Sequence, residues 1–188
     1  MHEQPVGIAS NRRFTLPRDC VVTIVPAGHR VTLTKGAQVT VLQALGGTAT
    51  VTTSDGEMAR LSPTDSVDFG FIRARTEPVS PNGAAFNVDD VWAAAATVYD
   101  PEIPVDIVEL GLVYRVDVEQ LPDGGRRVEI DMSVTAPFCG MGDILRQDLH
   151  DAVSALPGVD AVQVTLVFDP PWDASRLSDV ARLELGMM

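Results

Sequence analysis

The sequence predicts an α+β protein: a small all-β domain, barrel- or sandwich-like, followed by an α-β-β-α-β sandwich domain. Three observations carry this. Between Cys20 and Leu61 the apolar residues fall in short β-rich runs separated by turn residues. Beyond residue 86 the apolar spacing changes between helical and strand periods in the order α-β-β-α-β. Between the two, residues 62–87 are broken by Pro63, Pro78, Pro81 and Asn82-Gly83, which suits a linker and divides the chain into 1–80 and 81–188.

In the first half, Val21 to Val25 reads as a strand closed by Pro26-Ala27-Gly28, and Val31 to Leu33 as one closed by Lys35-Gly36. From Gln38 to Leu42, Val39 and Val41 share a face. Gly46-Gly47 precedes the threonine-rich strand Thr48 to Thr53, and Ser54-Asp55-Gly56 turns the chain again. In the second half, Asn87 is a plausible N-cap with Asp89 and Asp90 where a helix dipole favours acids. Val88, Val91, Trp92, Ala95 and Val98 form the helix's apolar stripe, which Asp100-Pro101 stops. A strand from Leu112 to Val118 turns through Pro122 to Gly125 into a strand from Val128 to Val134. A second helix follows, with Leu145, Leu149, Val153 and Leu156 at helical spacing and Pro157-Gly158 at its end. Val162, Val164, Leu166 and Phe168 mark a third strand, and the remaining segment reads as irregular. A hairpin with helices kept to one face is an α+β arrangement.

Composition narrows the function. The chain has 188 residues, a hydrophobic share of 45% and a net charge of −12. That balance argues against nucleic acid and against anionic membrane surfaces. Met1 to Ser10 lacks the apolar core of a signal peptide, and no apolar run is long enough to span a bilayer, so a cytoplasmic location is expected. Two cysteines far apart, Cys20 and Cys139, are expected to be free thiols there.

Three loops carry the chemistry. Cys139 lies between a strand and a helix, where unpaired N–H groups and the helix dipole favour thiolate. Gly140 and Gly142 beside it allow close backbone approach, and Thr135 offers a hydroxyl to a sulfur or an anion. The plainer alternative is a small buried hydrophobe. Asp100-Pro101-Glu102-Ile103-Pro104-Val105-Asp106 sets three carboxylates on a stiff segment that suits an oxygen ligand or a base, or simply a helix stop. Asp169-Pro170-Pro171-Trp172-Asp173 builds a rigid platform with Trp172 as a pocket wall or an edge cover. His2, His29 and His150 show no metal-ligand spacing, and there is no P-loop, Gly-x-Gly-x-x-Gly or Gly-x-Ser-x-Gly motif.

The stretch from Asp100 to Tyr114, the run Thr135-Ala136-Pro137-Phe138-Cys139-Gly140-Met141-Gly142, and Asp169-Pro170-Pro171-Trp172 followed by Leu177-Ser178-Asp179 resemble, in order, the signature of the metal–sulfur cluster assembly domain family. The N-terminal half, with Arg18-Asp19-Cys20 and Gln43 to Gly47, resembles an extension found in one branch of it. The resemblance implies a non-enzymatic accessory factor in iron–sulfur cluster assembly or delivery to client apo-proteins. Cys139 would be its functional thiol, and a cluster or iron its transient cargo. An all-protein site commonly needs four thiolates, and one chain offers two in different domains. A homodimer is expected, and it would offer two Cys139 thiolates with Glu102 or a small thiol completing the site; a transient bridge to a client would need fewer ligands still. Asp100, Asp106, Thr135, Gly140, Gly142 and Trp172 support the site, and Cys20 is a weaker ligand candidate. Partners are then iron–sulfur assembly proteins and clients. The alternative is a metal-free adaptor that docks clients through Trp172 and the acidic loop. A cysteine-nucleophile enzyme ranks last, because no histidine lies in the candidate loops.

Overall fold

The computed structural model describes residues 11–73, 86–122, 124–136 and 140–187. The chain forms two compact units, Met1–Arg75 and Thr76–Met188. Among the described residues, no helix is long and apolar enough to cross a membrane.

The N-terminal unit holds six strands: β1 (Arg12–Thr15), β2 (Cys20–Val25), β3 (Arg30–Leu33), β4 (Gln38–Leu45), β5 (Thr48–Thr53) and β6 (Met58–Leu61). They pair antiparallel in one sheet of order β1-β4-β5-β6-β2-β3. Gly46 and Gly47 both take positive φ (59° and 83°), which closes the two-residue hairpin between Leu45 and Thr48 with a twist that L-residues resist. The expected barrel or sandwich is thus a single sheet with β1 and β3 as its edges among the described residues. Period-two patterning reveals which face of a strand is buried but not which strand lies beside it. β1 was not anticipated, because Arg12, Arg13 and Thr15 are exposed and leave no alternation to read. The core gathers Leu16, Val22, Ile24, Val39, Val41, Ala49, Val51, Ala59 and Leu61 with Phe69 and Phe71.

A second correction concerns the segment read as linker from residue 62. Residues Pro63–Asp68 form a helix, α1. Ser62 is its N-cap, accepting from Asp65 N at 3.0 Å, and Pro63 sits in the first turn, where a missing N–H costs nothing. The same dipeptide read in isolation looks like a breaker. Ser66 Oγ donates to Ser62 O (2.7 Å) and accepts from the buried Ala49 N (3.0 Å), which ties α1 to β5. Ser66→Ala is expected to cost about 1–3 kcal/mol, since it strands a buried donor. Faster amide exchange at Ala49 and a lower melting temperature by circular dichroism check this. The rest of the proposed linker, with Pro78, Pro81 and Asn82-Gly83, lies outside the described residues.

In the C-terminal unit the order is α2 (Val88–Ala95), β7 (Val113–Gln120), β8 (Arg126–Met132), α3 (Gly142–Ser154), β9 (Ala161–Leu166), a 3-10 turn (Ala174–Arg176) and α4 (Asp179–Glu184). The sheet runs β7-β8-β9, with β7 and β8 an antiparallel hairpin and β9 parallel to β8 after the α3 crossover. Asn87 and Asp90 build a capping box on α2. The core joins Val91 and Ala95 of α2, Leu145, Leu149 and Val153 of α3, and Val128, Ile130 and Met132 of β8 to Ile107, Leu110 and Leu112. Two expectations change. The third strand stops at Leu166, and Phe168 is 53% exposed rather than core-facing. The segment read as irregular contains α4, whose N-cap Ser178 accepts from Ala181 N at 3.0 Å.

Candidate functional site

The sheet register decides which loops meet. Val113 pairs with Met132, and Met132 with Leu166, so the start of β7 and the ends of β8 and β9 form one row. The acidic loop approaches this row through the turn at 106–112. The cysteine loop and the Asp-Pro-Pro-Trp segment both leave from it. The turn before β7, the described shoulder of the cysteine loop after β8 and the start of the Asp-Pro-Pro-Trp segment after β9 therefore share one end of the C-terminal sheet.

The acidic loop is held by its own carboxylates. Asp100, which is buried, accepts through Oδ1 from Glu102 N (2.8 Å) and Ile103 N (3.0 Å). Asp106 Oδ1 accepts from Val108 N (2.9 Å) and Glu109 N (3.0 Å), which starts the turn into β7. Tyr99 and Asp106 form an isolated antiparallel bridge that closes the loop's base. Asp100 and Asp106 thus spend acceptor capacity on backbone amides. Glu102 is exposed as a residue, yet partial desolvation of its carboxyl, and then the charge of Asp100, raises its pKa.

Burial also raises the pKa of Asp106, against the lowering effect of the two amides it binds. A raised carboxyl pKa means that the fold opposes ionisation. Stability from this group is therefore full at acid pH and is lost as pH rises through the folded pKa. Asp106→Asn keeps the acceptor oxygen and drops the charge. It is expected to match wild type near pH ~4 and to be no less stable near pH ~7. Urea unfolding at both values checks this.

The turn at 106–112 is clasped from the C-terminal side. Trp172 Nε1 donates to Leu110 O at 2.8 Å, and Tyr114 Oη to Pro170 O at 3.2 Å. Ser178 N donates to Glu109 O at 3.0 Å, and Ser178 Oγ donates to the Glu109 carboxylate. The Arg176 guanidinium stacks 3.7 Å from the Tyr114 ring centroid. Ser133 N, just after β8, donates to Leu112 O at 2.8 Å, which binds the cysteine loop's first shoulder to the same turn. Trp172 therefore has a definite structural role, the half-buried anchor between two of the three loops. Sequence reasoning missed Glu109, Arg176 and Ser178 as parts of this clasp. The Ser178-Asp179 pair before an apolar run was the available signal for the α4 cap.

Cys139, with Pro137 and Phe138, lies outside the described residues. Of its shoulders, Thr135 is half-buried, Gly140 exposed, and Met141 and Gly142 buried. Gly142 opens α3, and a Cβ there would stand 3.2 Å from Val134 Cγ1, so glycine lets the helix start close against the strand exit. The N-cap position belongs to Met141, which supplies no side-chain cap. Cys20 belongs to the other unit. It is 4% exposed in the core, and burial, then the charge of Asp65, raises its pKa. That environment disfavours the thiolate a metal needs. Among the described residues no three His, Cys, Asp or Glu side chains cluster to hold a metal ion.

A family described as "Iron-sulfur cluster assembly protein" matches residues 88–166. An "Fe-S protein maturation auxiliary factor" of Porphyromonas gingivalis is 41% identical over 100 residues, which are 53% of this chain and 91% of that protein. The "Fe-S protein maturation auxiliary factor YitW" of Bacillus subtilis is 36% identical over 99 residues, 53% of this chain and 93% of that protein. The "Fe-S protein maturation auxiliary factor SufT" of Staphylococcus aureus is 36% identical over 90 residues, 48% of this chain and 98% of that protein. About half of this chain thus accounts for nearly the whole of each relative.

Proposed function

Because the chain belongs to the iron–sulfur cluster assembly protein family, we propose that it is an accessory factor in iron–sulfur protein maturation that handles a cluster or iron transiently through Cys139. The observation that supports this reading is the shared row Val113–Met132–Leu166: the turn from the acidic loop enters it at Val113, and the strands that precede Cys139 and Trp172 in the chain end at its other two members. Soft thiolate is the ligand type that iron–sulfur cargo prefers. One thiolate per family unit, with the exposed Glu102 as an oxygen donor, makes a weak site, and weak sites release cargo. Two chains sharing the cargo, or one chain and a client, complete the ligand set. The test is anaerobic reconstitution with iron and sulfide, with iron per chain measured after desalting. Equal iron in wild type and Cys139→Ser would remove Cys139 as a ligand.

A second reading is a metal-free adaptor between clients and the assembly machinery. It draws on the commitment of Asp100 and Asp106 to backbone amides, which leaves the acidic loop fewer donors for a metal. Client binding that survives Cys139→Ser unchanged, in protein that never takes up iron, favours it.

A further inference from the structure

The last helix of the C-terminal unit buries one side and leaves the other bare. Ala181 is fully buried, and Leu177 and Leu185 join the same core. On the outer side, one turn apart, stand Val180 and Leu183, 57% and 64% exposed. The helix ends in a Schellman turn, with Gly186 N donating to Leu183 O (3.1 Å) and Met187 N to Arg182 O (2.8 Å). An apolar residue in the place of Met187 commonly packs on the side chain whose carbonyl it binds. Here that side chain is Arg182, and Met187 stays 55% exposed. Of six large apolar side chains exposed among the described residues, three fall between Val180 and Met187, so this is a patch rather than scatter.

The patch has acidic surroundings. Asp179 and Glu184 are exposed on the same short helix, and Arg182 is engaged by Asp179 (3.8 Å) and Ser175 O (3.0 Å). Burial, and then the charges of Asp106 and Glu184, raises the pKa of Tyr99. Residues 76–188 hold 20 acidic and 6 basic side chains, a formal charge of −14, whereas residues 1–75 carry 6 acidic and 8 basic, a charge of +2.

We infer that the Val180–Leu183–Met187 face docks a basic amphipathic segment of a partner protein, whose apolar side chains cover these three residues while its Lys and Arg meet Asp179 and Glu184. This rests on the accessory-factor reading and adds to it the chemistry of the partner. Charge selects the occupant. A second copy seated face to face on this helix would set its own Asp179 and Glu184 against the first's, like charge on like. Nucleic acid and anionic membranes are repelled for the same reason.

The probe is a labelled helical Leu/Lys peptide of about 16 residues with leucines at helical spacing, titrated with the full chain at low salt. Amide shift changes are expected to centre on residues 178–187. Leu183→Ser and Val180→Ser should each weaken binding about tenfold. Their melting temperatures should stay unchanged, because both side chains are exposed. Asp179→Asn with Glu184→Gln should weaken binding and flatten its salt dependence. A Leu/Glu peptide of the same spacing should not bind. The proposal is overturned by equal binding to Leu183→Ser, by equal binding of the Leu/Glu peptide, by shifts centred elsewhere, or by a chain dimer that Leu183→Ser dissolves. The two readings fail separately. Leu183→Ser should retain iron like wild type, and Cys139→Ser should bind the peptide like wild type.

Discussion

Gly111→Ala is expected to destabilise the C-terminal unit by at least about 3 kcal/mol. Two costs add at one residue. Gly111 has φ 67°, a left-handed conformation that charges any Cβ about 1–2 kcal/mol. That Cβ would also lie 2.3 Å from Arg176 O and 2.7 Å from Arg176 Cβ. The obstacle is backbone, so no rotamer change relieves it. The 174–176 turn has to move, and with it go the Trp172–Leu110 and Ser178–Glu109 bonds that clasp the turn before β7. Both tryptophans of the chain, Trp92 and Trp172, fall in the C-terminal unit, so their fluorescence reports this unfolding without a signal from the N-terminal one. A drop in melting temperature of roughly 10 °C or more is expected. A shift within about 2 °C would mean that the 174–176 turn yields freely and clasps nothing.

This clasp also marks where sequence reading stops. The strands of the C-terminal sheet were legible because one face is buried and the alternation of Val128, Ile130 and Met132 records it. The N-cap at Asn87 and the helix around Leu145, Leu149 and Val153 were legible for the same reason: the signal lies within one turn or one period. Glu109 and Ser178 meet across 69 positions, and no local pattern announces such a pair. Asp100 and Asp106 show a subtler loss. A carboxylate that closes a turn and one that faces solvent have the same sequence, and only the backbone angles of the next residues separate them. Ser62-Pro63 is ambiguous in the same way, because proline interrupts a helix from within and favours one at its first position. The arrangement of three loops at one sheet end followed from topology, since β8 and β9 run parallel while β7 opposes them.

Cys139→Ser is expected to abolish nearly all iron retained after anaerobic reconstitution, while Cys20→Ser leaves it unchanged. The thiol inventory makes the contrast sharp. The chain has two cysteines, and Cys20 is buried in the N-terminal core with its pKa raised by desolvation. Serine in place of Cys139 therefore takes away the one thiol in the family's own portion of the chain, and the hydroxyl that replaces it is no substitute for thiolate toward iron. Oxygen donors do not make up the difference, because Asp100 and Asp106 already accept backbone amides. Glu102→Gln should lower retained iron by only a few-fold, since a carboxylate completes a site that the thiolate founds. Native mass measurement on the loaded protein separates the ways of completing it. A two-iron cluster shared between two chains gives about one iron per chain and a dimer mass that Cys139→Ser returns to monomer. A monomer that loads iron only with a small thiol present points to an external ligand instead. Iron that stays bound to Cys139→Ser at the wild-type level would leave docking as the role of this end of the sheet.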